Sequence, residues 1–346
     1  MHLSSLTGFS CATALLFLLT VSGPAKSAAS TDLAEQAIQL KQQQAKQLVS
    51  QSQQLTKLLE QACTRQAPDT QSPQLKQAWQ QTMLAWVPFQ GETIGPVHDL
   101  DIAWAMQFWP DKKNLTGRKV NALQDSQSTF SEADISQASV AVQGLGALEL
   151  LLFEQGISAD NCTLSQAIGT HIASNAKRLQ QTWQQAKLSY HQPAANQVKH
   201  PLSAADRAWI SELSHQLSFA NKKFHLPLGK GEHVKPYQAE SWRSARSMAQ
   251  LKQSYASLHQ LFLSGINRQL QQQGAGQLAS EIDQTFTDLL ANWPEQASMV
   301  SLLQSDQGLA KLYRLRIDIE RLTYLIQEAM PVALKIVIGF NATDGD

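Results

Sequence analysis

Charge is scarce in this chain. Only 16% of its 346 residues are Asp, Glu, Lys or Arg, and the 28 basic residues balance the 28 acidic ones. Without a basic surplus there is no electrostatic footing for a phosphate backbone, which excludes nucleic-acid binding as the main role. The same balance excludes a strongly acidic ion buffer. Cysteine is nearly absent, at 3 residues, and long apolar runs are missing. The longest, residues 12–21 (ATALLFLLTV), is too short to span a bilayer comfortably, and no later stretch qualifies as a transmembrane segment. The histidines are scattered, with no HExxH motif and no closely spaced pair on a helix. Nor do Ser, His and Asp form a nucleophile elbow. The residues alone demonstrate no enzymatic chemistry.

What is present is apolar and glutamine-rich. Apolar residues make up 43%, enough for a sizeable core. Residues 36–54 and 269–273 are dense in Gln, a fair helix former, and read as solvated helix faces. The short apolar run at 12–21 is followed by Gly23-Pro24 and small residues at 25–30, the pattern of a secretory signal cleaved near residues 27–29. Its n-region carries no Lys or Arg. Cys11 precedes the apolar run instead of following it, so a lipoprotein anchor fits poorly. The expectation is a signal peptide over 1–29 and a protein of the periplasm or cell surface. Cys63 and Cys162 then remain as a pair in an oxidising compartment, which points to a disulfide.

No strand alternation bounded by turn residues is evident, whereas helical spacing runs through most of the chain. Helices are expected at 32–64, 73–88, 132–155, 162–190, 204–225, 239–273, 277–292 and 305–335. Residues 88–117 read as a long irregular segment, 226–236 as a loop, and 191–203 as a linker. The predicted fold is all-α, with helical-bundle halves at 30–190 and 204–346.

Several polar positions resist a purely structural reading. Residues 139–153 (SVAVQGLGALELLLF) are apolar almost all round, so Glu149 is expected to be enclosed and to need a cation, metal or donors. Gly144 and Gly146, one turn earlier, weaken the helix and point to close approach of a backbone or ligand. On the last long helix Leu312, Leu315, Ile319, Leu322 and Ile326 form one seam, and Tyr313, Ile317 and Tyr324 a second apolar flank. Arg316 lies between them, with Glu320 at i+4, and is the attractive counter-charge for Glu149. A helix start at 240–247 gathers Glu240, Ser241, Arg243 and Ser244, with Ser247 on the same face as the other two serines. It reads either as a ligand-binding wall or as capping and solvated polarity. His98, with Asp99 and Asp101, is the compact His/carboxylate cluster, and with Glu149 a candidate metal ligand.

These residues also carry a resemblance. Phe108-Trp109-Pro110-Asp111-Lys112-Lys113-Asn114 resembles the FWPD-x-x-N signature of imelysin-like proteins. Residues 144–153 (GLGALELLLF) resemble that family's central helix. Pro227-Leu228-Gly229 followed by Glu240-Ser241-Trp242-Arg243-Ser244 resembles its second-half pattern, and residues 339–346 (GFNATDGD) its GFN-x-x-DGD ending. The resemblance implies two bundle-like halves with a site in the cleft between them, and adds Trp109 and Asp111 to the candidate ligand-binding residues. It also implies a periplasmic or surface role in iron uptake alongside other envelope components, within a class grouped historically with metallopeptidases. The family's GxHxxE motif is matched at Gly144 and Glu149, while Gly146 stands where the motif has His. Losing that imidazole removes the natural nitrogen ligand. An oxygen-rich site at Glu149 for iron or a divalent metal, or a site without metal, are the alternatives left. On this basis the expected role is a metal- or iron-acquisition binding or accessory protein. The alternatives are a metallopeptidase of the same class and a helical interaction module without a ligand site.

Overall fold

The computed structural model describes residues 33–64, 72–186, 201–229 and 233–337. The expected signal peptide, most of the 191–203 linker and the GFNATDGD segment lie outside these described residues. Among them the chain is all-helical, with no β-strand.

Helix α1 (Leu33–Thr64) is the long spine, and its buried positions Ala37, Ile38, Ala45, Leu48, Leu55 and Leu59 recur at helical spacing. It packs chiefly against α2 (Pro73–Trp86) and, further along the chain, α8 (Cys162–Gln185). Ser72 caps α2, its hydroxyl accepting from the Leu75 amide at 3.4 Å, with Pro73 in the first turn as the sequence leads one to expect. Trp79 of α2 is fully buried, and its indole N–H donates to the Leu145 carbonyl at 3.0 Å. The Leu75, Trp79, Met83 and Trp86 stripe is therefore core.

Residues 88–117 are not one irregular segment. A 3-10 turn (Val87–Phe89) leads into two four-residue helices, α3 (Pro96–Asp99) and α4 (Ala103–Met106), before α5 (Leu115–Ser126). Glycine and proline at 91, 95, 96 and 110 break periodicity without preventing single turns, which is why the pattern hid them. The helix expected over 132–155 is also divided. It comprises α6 (Glu132–Gln137), a 3-10 turn at Val140–Val142, α7 (Leu145–Leu150) and a π-helical turn at Leu151–Gln155. Gly144 breaks it, because its backbone is extended and serves as N-cap of α7.

In the second part of the chain α9 (Ala204–Leu228) runs through Pro227, beyond the expected start of a loop, and ends at Gly229 with φ of 68°. The segment 240–246 is a set of turns, and α10 (Ser247–Leu261) begins only after it. The remaining helices are α11 (Asn267–Gln272), α12 (Gly276–Ala291), α13 (Met299–Leu303), α14 (Asp306–Tyr324) and α15 (Met330–Leu334), with π-helical turns at Phe262–Ile266 and Leu325–Ala329. On α14 the first seam is buried as expected. The second flank is not, since Tyr313 and Tyr324 are exposed and Ile317 is 66% exposed.

Cys63 and Cys162 form a disulfide with a Cα–Cα distance of 5.6 Å, joining the end of α1 to the start of α8. The sequence separation of 99 corresponds to roughly 4–5 kcal/mol in the chain-entropy account. Replacing both cysteines by serine is expected to lower the unfolding free energy by about 2–5 kcal/mol, read as a shift of the urea midpoint against the oxidised protein.

Candidate functional site

Gly144 explains how the central segment reaches its position. A β-carbon there would lie 2.3 Å from the Met106 carbonyl oxygen and 2.4 Å from that of Ala105. Only glycine allows α4 to approach so closely. Gly146 differs, because the nearest atom to a β-carbon there is the Phe108 carbonyl oxygen at 3.8 Å.

Five residues after Gly144, Glu149 is enclosed, with 3% of its surface exposed. Its Oε1 accepts from the Ser244 backbone N–H at 2.7 Å. Ser244 is held in place by turns in which Ser241 (φ 48°) and Ala245 (φ 56°) adopt the left-handed conformation. The Ser244 hydroxyl donates to the Ser241 carbonyl at 3.0 Å, and the Arg246 amide donates to the same carbonyl at 3.3 Å. Two left-handed non-glycine residues cost roughly 1–2 kcal/mol each, so the turns form against local preference, as backbones at functional sites often do. This is also why no helix starts at 240.

The positive companion of Glu149 is Arg243, not Arg316. The Arg243 guanidinium is almost fully buried, with Nε 2.9 Å from Glu154 Oε1 and Nη2 donating to Asn114 Oδ1 at 2.7 Å. It also stacks 4.3 Å from the centre of the Trp242 ring. Arg316 instead pairs with Glu320 at 2.6 Å, both about half in water, 46% and 52% exposed. Helical spacing sets Arg316 beside the Tyr313, Ile317 and Tyr324 flank, and that flank faces solvent. Burial pushes the Glu149 carboxyl up to about 7; the Ser244 hydrogen bonds and Arg243 pull it down, and the Glu240 charge pushes it up.

The FWPD segment forms part of the wall. Trp109 is mostly buried, and its indole N–H donates to the Gln238 carbonyl at 3.1 Å. Asp111 is engaged in capping, since its two oxygens accept from the amides of Leu115 at 2.6 Å and Thr116 at 2.9 Å. Its carboxylate anchors the start of α5 and has little capacity left for a ligand. Glu240 is likewise committed. It is buried against Lys223 at 2.6 Å and accepts from Gln90 and Gln107 at 2.7 and 2.8 Å.

Six of the residues singled out by sequence, namely Trp109, Asp111, Gly146, Glu149, Ser241 and Arg243, line one small cavity of about 30 Å3. That is room for about two waters. Ser244 adjoins it through its bond to Glu149. His98 does not belong there. Its side chain is 69% exposed and faces Asp99 of the same turn at 3.6 Å.

Sequence reasoning missed a neighbouring set of enclosed charges. Lys41 lies 3.2 Å from Glu92, and Lys223 joins Glu240, Gln90 and Ser254. The signal was available: Lys41 follows Ala37 and precedes Ala45 on the buried stripe of α1, and Lys223 sits between Ala220 and Pro227 on that of α9.

The family model described as imelysin matches residues 41–325. The chain belongs to the imelysin family. An imelysin-like protein from Psychrobacter arcticum 273-4 has a similar solved structure. The TM-score is 0.71 at 18% identity, covering 89% of this chain and 98% of that one. A putative iron-regulated protein A precursor from Parabacteroides distasonis ATCC 8503 gives 0.52 at 10% identity, covering 87% and 96%. At these identities the likeness concerns the fold. No curated protein matches the chain.

Two outcomes follow from the geometry. Gly144→Ala is expected to destabilise the protein by about 2 kcal/mol or more, since carbonyl oxygens of a neighbouring helix must move. Gly146→Ala should be neutral or stabilising by up to about 1 kcal/mol, and urea unfolding separates the two. Because the folded pKa of Glu149 is raised, its contribution is fully present below 4.5 and disappears as pH rises through about 7. Between those values the wild type should lose on the order of 3 kcal/mol relative to Glu149→Gln, read from urea midpoints across that range.

Proposed function

We propose that this imelysin-family protein is an exported binding or accessory component of iron acquisition. In this reading it works in the periplasm or at the cell surface and takes its iron as a complex, not as a bare ion. The observation that carries the reading is the enclosed Glu149 carboxyl, fastened by the Ser244 amide and the Arg243 charge. The iron context rests on the sequence resemblance and on the iron-regulated protein whose fold this chain shares.

The donor set argues against a preformed cage for a transition metal. Gly146 brings no imidazole, one oxygen of Glu149 is already hydrogen-bonded, and Asp111 is occupied by α5. Among the described residues no three His, Cys, Asp or Glu side chains gather to hold a metal ion. Among the described residues, a peptidase built on an activated, metal-bound water lacks ligands for the same reason.

What the residues do support is hydrogen-bond recognition. Near neutral pH Glu149 exchanges between an acid that donates a proton and a carboxylate that accepts one. The protonated form suits a single carboxylate oxygen of an iron chelate reaching into the cavity, whose volume of about 30 Å3 admits that group while the rest of the complex stays outside.

Calorimetric titration tests the reading, with ferric citrate on one side and Fe2+, Cu2+, Zn2+ and Ca2+ on the other. Saturable binding of ferric citrate is expected, strengthening roughly tenfold as pH falls through the titration of Glu149. In Glu149→Gln, whose amide always offers a donor, the affinity should be independent of pH. Failure of ferric citrate to bind would sink the proposal. Saturable bare-ion binding that Glu149→Gln abolishes would replace it with a metal-ligating site, and chelator-sensitive cleavage of an unfolded substrate would replace it with a peptidase.

A further inference from the structure

The small cavity beside Glu149 is walled by donors that the protein itself leaves unused. Thr116, in the first turn of α5, is 2% exposed, and Ser241, in its left-handed turn, is 7% exposed. Both line the cavity, and among the described residues neither hydroxyl donates a hydrogen bond. Arg243 joins them on the wall with a side chain only 6% exposed. Its Nε faces Glu154 and its Nη2 donates to Asn114, while Nη1 has no partner among the described residues. Enclosed donors without an acceptor are costly, so a cavity lined by three of them suits an occupant that brings lone pairs.

The negative groups nearby are answered already. Asp111, on the same wall, spends its two oxygens on the amides of Leu115 and Thr116. Glu240 is neutralised by Lys223 at 2.6 Å. Glu154 is 42% exposed, so water screens its charge. Glu149 itself, pushed up to about 7, is below that pH an acid with a proton to donate. The unspent groups facing the cavity are therefore two hydroxyls, a guanidinium edge and a carboxylic acid.

We propose that this cavity seats a whole carboxylate group of its ligand, one oxygen at Glu149 and the other met by the Thr116 and Ser241 hydroxyls and the free edge of Arg243. The inference rests on the reading of Glu149 as the ligand-facing group, and it makes the carboxylate, not the metal, what the site recognises. Space for about two waters matches the two oxygens of a carboxylate, whereas a tetrahedral phosphate brings more oxygens than that space admits. The guanidinium supplies the counter-charge and a planar edge suited to a planar anion. The body of the ligand leaves past Tyr237, which lines the cavity, is 64% exposed and holds its ring 4.9 Å from that of Trp242. A free organic acid and the uncoordinated arm of an iron chelate present the same group.

The test titrates the full chain with acetate, acetamide and methylphosphonate at about pH 6, below the titration of Glu149, and follows the indole N–H resonances of Trp109 and Trp242. Acetate should saturate the site about tenfold more tightly than acetamide, with methylphosphonate the weakest. Thr116→Val should weaken acetate about tenfold yet leave the urea midpoint unchanged, because no protein acceptor loses a partner. Arg243→Lys, which keeps the charge and loses the planar edge, should weaken it severalfold. Acetate that fails to saturate, acetamide or methylphosphonate binding as tightly, or acetate indifferent to Thr116→Val would overturn the proposal. Should Arg243→Lys fail to fold, the probe series and Thr116→Val decide it. Ferric citrate in the same titration separates the two readings. If it binds while acetate does not, the iron reading stands and the carboxylate seat falls; if acetate binds as described and ferric citrate does not, the seat stands for a free organic acid and the iron reading falls.

Discussion

A carboxylate withdrawn from water into a helical core must be met by donors or cations, or else keep its proton. This constraint organises the part of the molecule described above. Glu149, Glu92, Glu212 and Glu240 are all buried, and each is answered from a distant stretch of chain. Ser244 reaches Glu149 across 95 residues, Thr93 reaches Glu212 across 119, and Gln90 reaches Glu240 across 150. Elements with no regular pattern of their own, the short turns near 87–106 and the turns at 240–246, are positioned by these obligations. Removing one partner from such a pair is costly because the other is left stranded, even where the pair itself adds little net stability.

The short motifs that attract attention in the sequence have structural work behind them. Asp111 and Asn114 hold the first turn of α5, and Asn114 in turn receives Arg243. Gly144 permits a helix-to-backbone approach that any β-carbon would block. Gly146 is of another kind. The space beside it is open, so a residue with a side chain is compatible with the backbone, and its glycine is a matter of what the cavity contains.

Much of the fold was legible. The long helices, the serine caps at 72 and 203, and the cysteine pair follow from spacing and local chemistry that act within a few residues. The enclosure of Glu149 was legible too, because its neighbours are apolar on every side. Its partner was not. Arg316 and Arg243 are equally charged on paper, and choosing between them requires knowing which face of α14 meets water. The two left-handed residues at 241 and 245 carry no sequence signal, since serine and alanine are unremarkable there. Lys41 and Lys223 were readable as lysines on apolar stripes, but a long side chain at such a position more often snorkels outward.

The bond between Cys63 and Cys162 turns everything between them into a covalent ring. Trp109, Asp111, Gly144 and Glu149 all lie on that ring, whereas Glu240, Arg243 and Ser244 lie on the chain that leaves it. The polar centre is therefore a clasp between a closed loop and an open arm. A single backbone cut anywhere on the loop would leave both pieces tethered and the clasp with all its parts.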